Sequence, residues 1–367
     1  MFNKIAIIGT GLMGGSLALA LAEHGSAAEL VAYDISAEAR AAARELEIAD
    51  AVTDTAAEAA SGADLIFLAT PIGAMVEALG EAAPAVEPGA IVSDLASAKM
   101  SLIKAIEEAL PPGARYVGGH PMTGSEQSGV RSARADLFRD RYYILTPTEN
   151  TDPEAYQRVH SLLTDIGARV ISMDPESHDR AMATISHVPH LLSLLLMGLA
   201  AREREQMKSL YTIAAGGFRD MTRIAASSPE VWLDIVTENR AFIIDKLNEY
   251  QADMRSLVDA LERGDRGALE EMFVRARAAR EELSRKSGAE ITEMYAISLP
   301  VPDEPGVISR VTTAVGALGI NIEDISIAHP LEGETGILTL KVLGRDSARE
   351  AAGHLGSLGY RASLGKA

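Results

Sequence analysis

The sequence predicts an α/β protein in three parts: a doubly wound, largely parallel sheet, an all-α segment, and a small domain of order β, α, β, β, α, β. Three observations carry this. A glycine turn joins an apolar strand to an alanine-rich helix within the first fifteen residues. Strand and helix patterns then alternate to about residue 172. After Met173-Asp174-Pro175-Glu176 the pattern is helical almost throughout, until Ser287-Gly288, where short strands return.

The first strand is expected over residues 4–8, followed by Gly9-Thr10-Gly11-Leu12-Met13-Gly14. This is the G-x-G-x-x-G turn of a dinucleotide-binding βαβ unit, in the strand–turn–helix setting it requires. Gly9 permits the tight turn, Gly11 lets backbone approach a pyrophosphate, and Gly14 lets helix and strand pack closely. Leu12 and Met13 lie where the helix N-terminus offers unpaired N–H groups to phosphates. The second strand, 30–34, ends in Asp34, about 20 residues past the last glycine, where an acid meets a ribose 2′-hydroxyl. No Arg or Lys follows until Arg40, so the cofactor expected is NAD rather than NADP. A third strand, 64–69, runs into Thr70-Pro71 at the cofactor side. The first domain is thus Rossmann-like, with further strands at 90–93, 115–118, 142–146 and 168–172.

Bulk properties narrow the function. A chain of 367 residues holds two or three domains. The net charge of −18 argues against nucleic acid and anionic membranes as partners. With no cysteine, disulfides, thiolate catalysis and cysteine metal sites are excluded. A strand begins almost at once, so no signal peptide is expected, and the longest apolar run, 191–201, is too short to cross a bilayer. A cytoplasmic enzyme is the expectation.

Three polar constellations stand beyond the glycine turn. Ser93-Asp94-Leu95-Ala96-Ser97-Ala98-Lys99 follows a strand end, where open sheets bind ligands. Ser97 reads as functional; Lys99 reads equally well as a solvated residue beside a helix cap. Gly118-Gly119-His120-Pro121 also follows a strand end, and a histidine fixed between glycines and a proline suits proton transfer near neutral pH. In the helical segment, Ser186-His187-Val188-Pro189-His190 precedes Gly216-Gly217-Phe218-Arg219-Asp220-Met221-Thr222-Arg223. Without a carboxylate at helical spacing or H-E-x-x-H, these histidines do not read as a metal site. An arginine after the double glycine suits a carboxylate clamp in an acidic chain. Two segments, Gly216-Gly217 and Ser227-Ser228-Pro229, are expected to interrupt the helices, with Ser227 or Ser228 capping the next. Leucines cover nearly every face of the helix around 191–199, which calls for burial all round, best met by a second copy.

In order along the chain, these motifs resemble the prephenate dehydrogenase family, which includes arogenate and cyclohexadienyl dehydrogenases. The resemblance rests on the glycine turn, Asp-x-x-Ser-x-Lys, Gly-Gly-His-Pro-Met-x-Gly, Ser-His-x-Pro-His and Gly-Gly-Phe-x-Asp-x-Thr-Arg-Ile-Ala. The stretch 295–367 resembles an ACT domain, an amino-acid-sensing module, through Asp303-Glu304-Pro305-Gly306-Val307 and Gly319-Ile320-Asn321-Ile322. The domains implied are 1–172 for dinucleotide, 173–288 for substrate and dimerisation, and 294–367 for regulation.

The resemblance implies NAD-dependent oxidative decarboxylation of prephenate to 4-hydroxyphenylpyruvate. It makes His120 the general base or polariser and Ser97 its neighbour at hydroxyl and nicotinamide. Arg223 grips a substrate carboxylate, with Ser186, His190 and Trp232 around it. It implies a homodimer, and feedback by tyrosine at Asp303, Pro305, Gly306, Val307, Asn321 and Ile322. Arogenate as substrate stays open, and a β-hydroxyacid dehydrogenase is the rival, disfavoured because no lysine precedes Lys208 in the long helical run.

Overall fold

The computed structural model describes residues 2–124, 127–288, 294–302, 304–328 and 335–366, and the chain forms two compact units, Met1–Met254 and Arg255–Ala367. The first is built on eight strands: β1 (Phe2–Ile8), β2 (Ala27–Tyr33), β3 (Ala51–Val52), β4 (Leu65–Leu68), β5 (Ile91–Asp94), β6 (Arg115–Pro121), β7 (Tyr142–Thr146) and β8 (Arg169–Ser172). Their order is β3-β2-β1-β4-β5-β6-β7-β8, and every pairing is parallel except β6 with β7. The chain winds outward from β1 to β3, then crosses back to β4 and onward. The switch point therefore lies between β1 and β4, where an open sheet leaves a crevice at its carboxyl ends.

The strands read as unbroken apolar runs because helices bury both faces. Ile5 and Ile7 pack on one side with Leu17, Leu21 and Phe67; Ala6 and Ile8 pack on the other with Ile66, Leu68 and Leu79. β3 has two residues and was not expected, being too short to show alternation.

Asp174 caps the helix Pro175–Met182, accepting the Ser177 amide at 2.9 Å, so the expected break is a helix start. A π-helical turn, Ala183–His187, follows, and then the helix Val188–Glu203. Together they make one run of 29 residues, longer than the apolar stretch seen in the sequence, and among the described residues it alone is long and apolar enough to cross a bilayer. It buries Val188, His190 and Ser193, while Leu195, on another face, is 65 % exposed in the single chain. The all-round burial expected of this helix is therefore not reached within one chain.

The double glycine does not break a helix; it opens one, Gly216–Thr222, after turns over residues 204–215. Ser228 stands at the N-cap of Pro229–Glu238 as expected, but makes no side-chain capping bond; the Ser227 hydroxyl donates instead to the Ile224 carbonyl. Asn239 separates this helix from Arg240–Glu262.

The second unit holds the helix Arg266–Gly288 and an antiparallel sheet of β9 (Met294–Pro302), β10 (Asp324–Ala328), β11 (Thr335–Leu343) and β12 (Ser363–Lys366), ordered β10-β11-β9-β12. Helices Val307–Gly316 and Arg345–Ser357 complete βαββαβ, packing Val311, Val315 and Leu355 on Ile297, Leu299 and Leu340. β10 begins at Asp324, so Asn321 and Ile322 lead into the strand rather than lie in it. Pro305 and Gly306 form the turn before Val307, with Gly306 at φ 87°, which glycine supplies without strain. Asp303 lies outside the described residues.

Candidate active site

The glycine turn is shaped by what a side chain would strike. A Cβ at Gly9, whose φ is 103°, would lie 2.6 Å from the Ala69 backbone. A Cβ at Gly14 would lie 1.9 Å from the Gly9 carbonyl oxygen. At Gly11 it would meet nothing within 4 Å, so this glycine leaves open space over the helix N-terminus. The helix Leu12–Glu23 starts there with no side-chain cap, and Leu12 and Met13 form its first turn.

Asp34 follows β2. One of its oxygens accepts from the Thr10 amide at 2.7 Å and the Thr10 hydroxyl at 3.2 Å; the other accepts from the Ser36 amide at 2.9 Å. A cavity of about 190 Å³ opens beside it, lined by Gly9, Gly11, Asp34, Thr70 and Pro71, with Glu77 and Glu81 on the far wall. Open space at a glycine, free helix amides and an acid at the ribose position fit a dinucleotide. Arg40 lies nearer than its sequence distance suggested, but its guanidinium is committed. It donates to the carbonyls of Asp34 (2.8 Å) and Ile35 (3.0 Å), and its Nε is 3.5 Å from Asp54. The acidic wall and the occupied arginine leave a 2′-phosphate without a cation here.

His120 sits near the end of β6 and is buried. Its Nδ1 is 2.8 Å from Nε2 of His178, and the His178 Nδ1 is 2.8 Å from Asp179 Oδ1. A carboxylate only accepts, so His178 donates from Nδ1 and accepts at Nε2; His120 must then donate from Nδ1, leaving its Nε2 lone pair free. The hydrogen-bond chain thus assigns the tautomer, as the acid of a hydrolase triad does for its histidine. Burial, then the neighbouring His178, holds the His120 pKa well below 6.5, so the ring is neutral near pH 7.

Asp179 is itself held. Its oxygens accept the amides of Lys99 and Met100, each at 2.8 Å, which caps the helix Met100–Ala109 from a distant part of the chain. Lys99 is fully buried, correcting the solvated reading. Its ammonium pairs with Asp94 and donates to the Gly119 carbonyl, next to His120. Asp94 also accepts from Tyr116 Oη at 2.5 Å and the Gly119 amide at 3.2 Å. Burial pulls the Lys99 pKa down and Asp94 opposes it. Half-buried Ser97 lies on the loop between these anchors, after the Ala96 amide bond to Asp94 (2.7 Å) and before Lys99.

A second cavity, about 380 Å³, is lined by Ser186, His190, Arg223 and Trp232, with Gly124 contributing from the loop after His120. All four residues expected around the substrate carboxylate thus share one wall. The His190 and Trp232 rings stack with centroids 3.5 Å apart and planes 10° apart. His187, three residues before, meets the same indole edge-on at 6.1 Å, so both histidines converge on Trp232. The Asn239 amide nitrogen donates to the Asp179 carbonyl (2.8 Å) and to His187 Nδ1 (3.0 Å). Burial lowers the His187 pKa to about 4. Among the described residues no group of three histidines or carboxylates gathers to hold a metal.

Sequence reasoning missed His178, Asp179 and Asn239. The only available signal was an adjacent His-Asp pair behind a helix cap, and nothing local says that it faces a strand end 58 residues away.

Comparisons with known proteins agree with this arrangement. Family models match in chain order: prephenate dehydrogenase, nucleotide-binding domain, over residues 17–172; prephenate dehydrogenase, dimerization domain, over 174–275; and ACT domain over 295–359. The chain is 34 % identical to a prephenate dehydrogenase of Bacillus subtilis over 352 residues, covering 96 % of this chain and 95 % of that one. It is 36 % identical to a cyclohexadienyl dehydrogenase of Zymomonas mobilis over 76 % of this chain and 96 % of that one. The solved structure of Aquifex aeolicus prephenate dehydrogenase in complex with hydroxyphenyl propionate and NAD+ superposes with a TM-score of 0.73, at 30 % identity, over 77 % of this chain and 99 % of that one.

Proposed function

Since the chain belongs to the prephenate dehydrogenase family and is an NAD-dependent oxidoreductase, we propose that it converts prephenate and NAD⁺ to 4-hydroxyphenylpyruvate, CO₂ and NADH. The observation that carries this reading is the Asp179–His178–His120 chain, which presents a neutral acceptor nitrogen beside a pocket bearing an arginine.

Bound nicotinamide supplies the hydride acceptor. His120 Nε2 accepts the ring hydroxyl proton as that carbon gives up its hydride. The proton returns to the same oxygen when the ring carboxylate leaves as CO₂ and its electron pair completes the aromatic ring. His178 and Asp179 hold the imidazole in the accepting tautomer. Ser97, on a loop tied down on both sides, aligns hydroxyl and nicotinamide. Arg223 binds a substrate carboxylate, and Ser186, His190 and Trp232 shape that end of the pocket. Steady-state assays of prephenate and arogenate with NAD⁺ and NADP⁺ test the reading; it is refuted if neither substrate yields NADH.

We assign residues 1–172, 173–288 and 294–367 to dinucleotide binding, to substrate binding and dimerisation, and to regulation. The exposed Leu194, Leu195 and Leu199 support a homodimer closing over this helix, to be measured by sedimentation. Tyrosine is the proposed effector, at the turn of Pro305, Gly306 and Val307 and the Asn321–Ile322 lead-in to β10; the fold of the module supports this. Calorimetry of tyrosine on the full chain decides it, and absent heat removes the effector. We place the enzyme in the cytoplasm, with no nucleic acid or membrane partner, in keeping with its charge of −18 and its biosynthetic relatives.

A further inference from the structure

One helix touches both pockets. Pro229–Glu238 carries Trp232, which stacks on His190 in the second cavity. Two residues on, Asp234 accepts the backbone amide of Gly73 at 3.2 Å. Gly73 belongs to the single 3₁₀ turn Ile72–Ala74, and Thr70, Pro71 and Ala74 on either side of it line the dinucleotide cavity. The turn itself leaves that amide without an acceptor, and the carboxylate supplies one. Position 73 has room for no side chain, since a Cβ there would lie 2.8 Å from the Asp234 carboxylate oxygen.

The same segment is fixed at its other end. Glu238, four residues on and so on the same face, accepts from the Ser101 hydroxyl at the start of Met100–Ala109. Asn239 then binds the Asp179 carbonyl and His187. The helix is thus pinned to the cofactor rim by one bond and to the histidine cluster by others, with the indole between them.

We propose that Asp234 is a positioning residue: by accepting the Gly73 amide it sets the 70–74 rim of the dinucleotide cavity and the Trp232 wall of the second cavity at one spacing, so that cofactor and substrate each raise the other's affinity. This rests on reading the second cavity as the substrate pocket. Linkage makes the coupling reciprocal, so either ligand reports it.

The test is calorimetry on the full chain with NAD⁺ and 3-(4-hydroxyphenyl)propionate, an aromatic acid shaped like the product, each titrated alone and then in the presence of the other. In the native chain NAD⁺ tightens the acid at least about fivefold. In Asp234→Ala each ligand alone binds within about twofold of native, while the mutual effect falls toward none. Asp234→Asn, whose carbonyl still accepts an amide, keeps it. Gly73→Ala, which drives a methyl into the carboxylate, loses it, and serves if the alanine variant at 234 is unstable. Native coupling in both Asp234→Ala and Gly73→Ala, or no coupling in the native chain, overturns the proposal. Arg223→Ala separates the two readings: it should lose the acid and keep NAD⁺, and if it binds the acid normally the substrate-pocket assignment fails instead.

Discussion

The two cavities of the first unit are made of different material. The dinucleotide cavity is a backbone construction: glycines that admit close approach, helix amides and a 3₁₀ turn, with Asp34 as its main polar side chain. The second cavity is a side-chain construction, with Ser186, His190, Arg223 and Trp232 held by polar contacts reaching across the chain. The first recognises what every dinucleotide shares. The second must match one substrate, and every added atom there changes chemistry rather than access.

The largest effects should come from the side-chain site. His120→Asn should lower kcat by about 10²-fold or more with NAD⁺ affinity unchanged, measured by steady-state kinetics and by NAD⁺ titration. An undiminished kcat in a folded variant would remove His120 from the mechanism. Arg223→Ala should cost roughly 10- to 100-fold in kcat/KM, mostly as KM, the range of a charge-assisted hydrogen bond of about 1.5–3 kcal/mol. His178→Asn should cost about tenfold in kcat, less than loss of the base itself. It should also move the acid limb of the pH profile upward, because the His178 charge helps to hold the His120 pKa below 6.5. With native His178, activity should persist below pH 6.5.

The backbone cavity breaks differently. Gly14→Ala puts a methyl 1.9 Å from a carbonyl oxygen and should destabilise the fold along with NAD⁺ binding. Gly11→Ala meets nothing within 4 Å and should leave the melting temperature alone while weakening NAD⁺ about tenfold, the scale of 1–3 kcal/mol of overpacking against a ligand. Equal melting losses in both would mean that the two glycines do the same job.

The smallest effect on catalysis concerns His187. Its pKa falls from 6.5 in the unfolded chain to about 4 in the fold, so between those values the unfolded state binds more protons. Stability is then fully present above pH 6.5 and declines as pH falls toward 4, by about 3 kcal/mol at most. Denaturant titrations should show this slope, and His187→Asn should flatten it.

The same division explains what could be read in advance. Gly9, Gly11, Gly14 and Asp34 are legible because a local turn dictates its own residues. The sheet followed from apolar runs buried on both faces, and only the two-residue β3 lacked a pattern. His120 stood out as a histidine with no packing rationale. Lys99 did not, because nothing in its neighbours in sequence announces Asp94 or the Gly119 carbonyl as partners. His178 and Asp179 stayed hidden for the same reason: their meaning arises only when the helix after Asp174 is laid against the end of β6. Gly216-Gly217 misled because glycine was taken as a helix stop where it is a start.

The π-helical turn Ala183–His187 carries a consequence for how this segment tolerates length changes. A π turn holds one residue more than an α turn, and removing it would restore ordinary winding. Everything downstream would then rotate by about 100° relative to His178 and Asp179. His190 would leave its stack on Trp232 while each remaining side chain kept its identity. A one-residue deletion here should thus abolish the acid-binding pocket more thoroughly than many substitutions within it, and a matching insertion a turn later should bring it back.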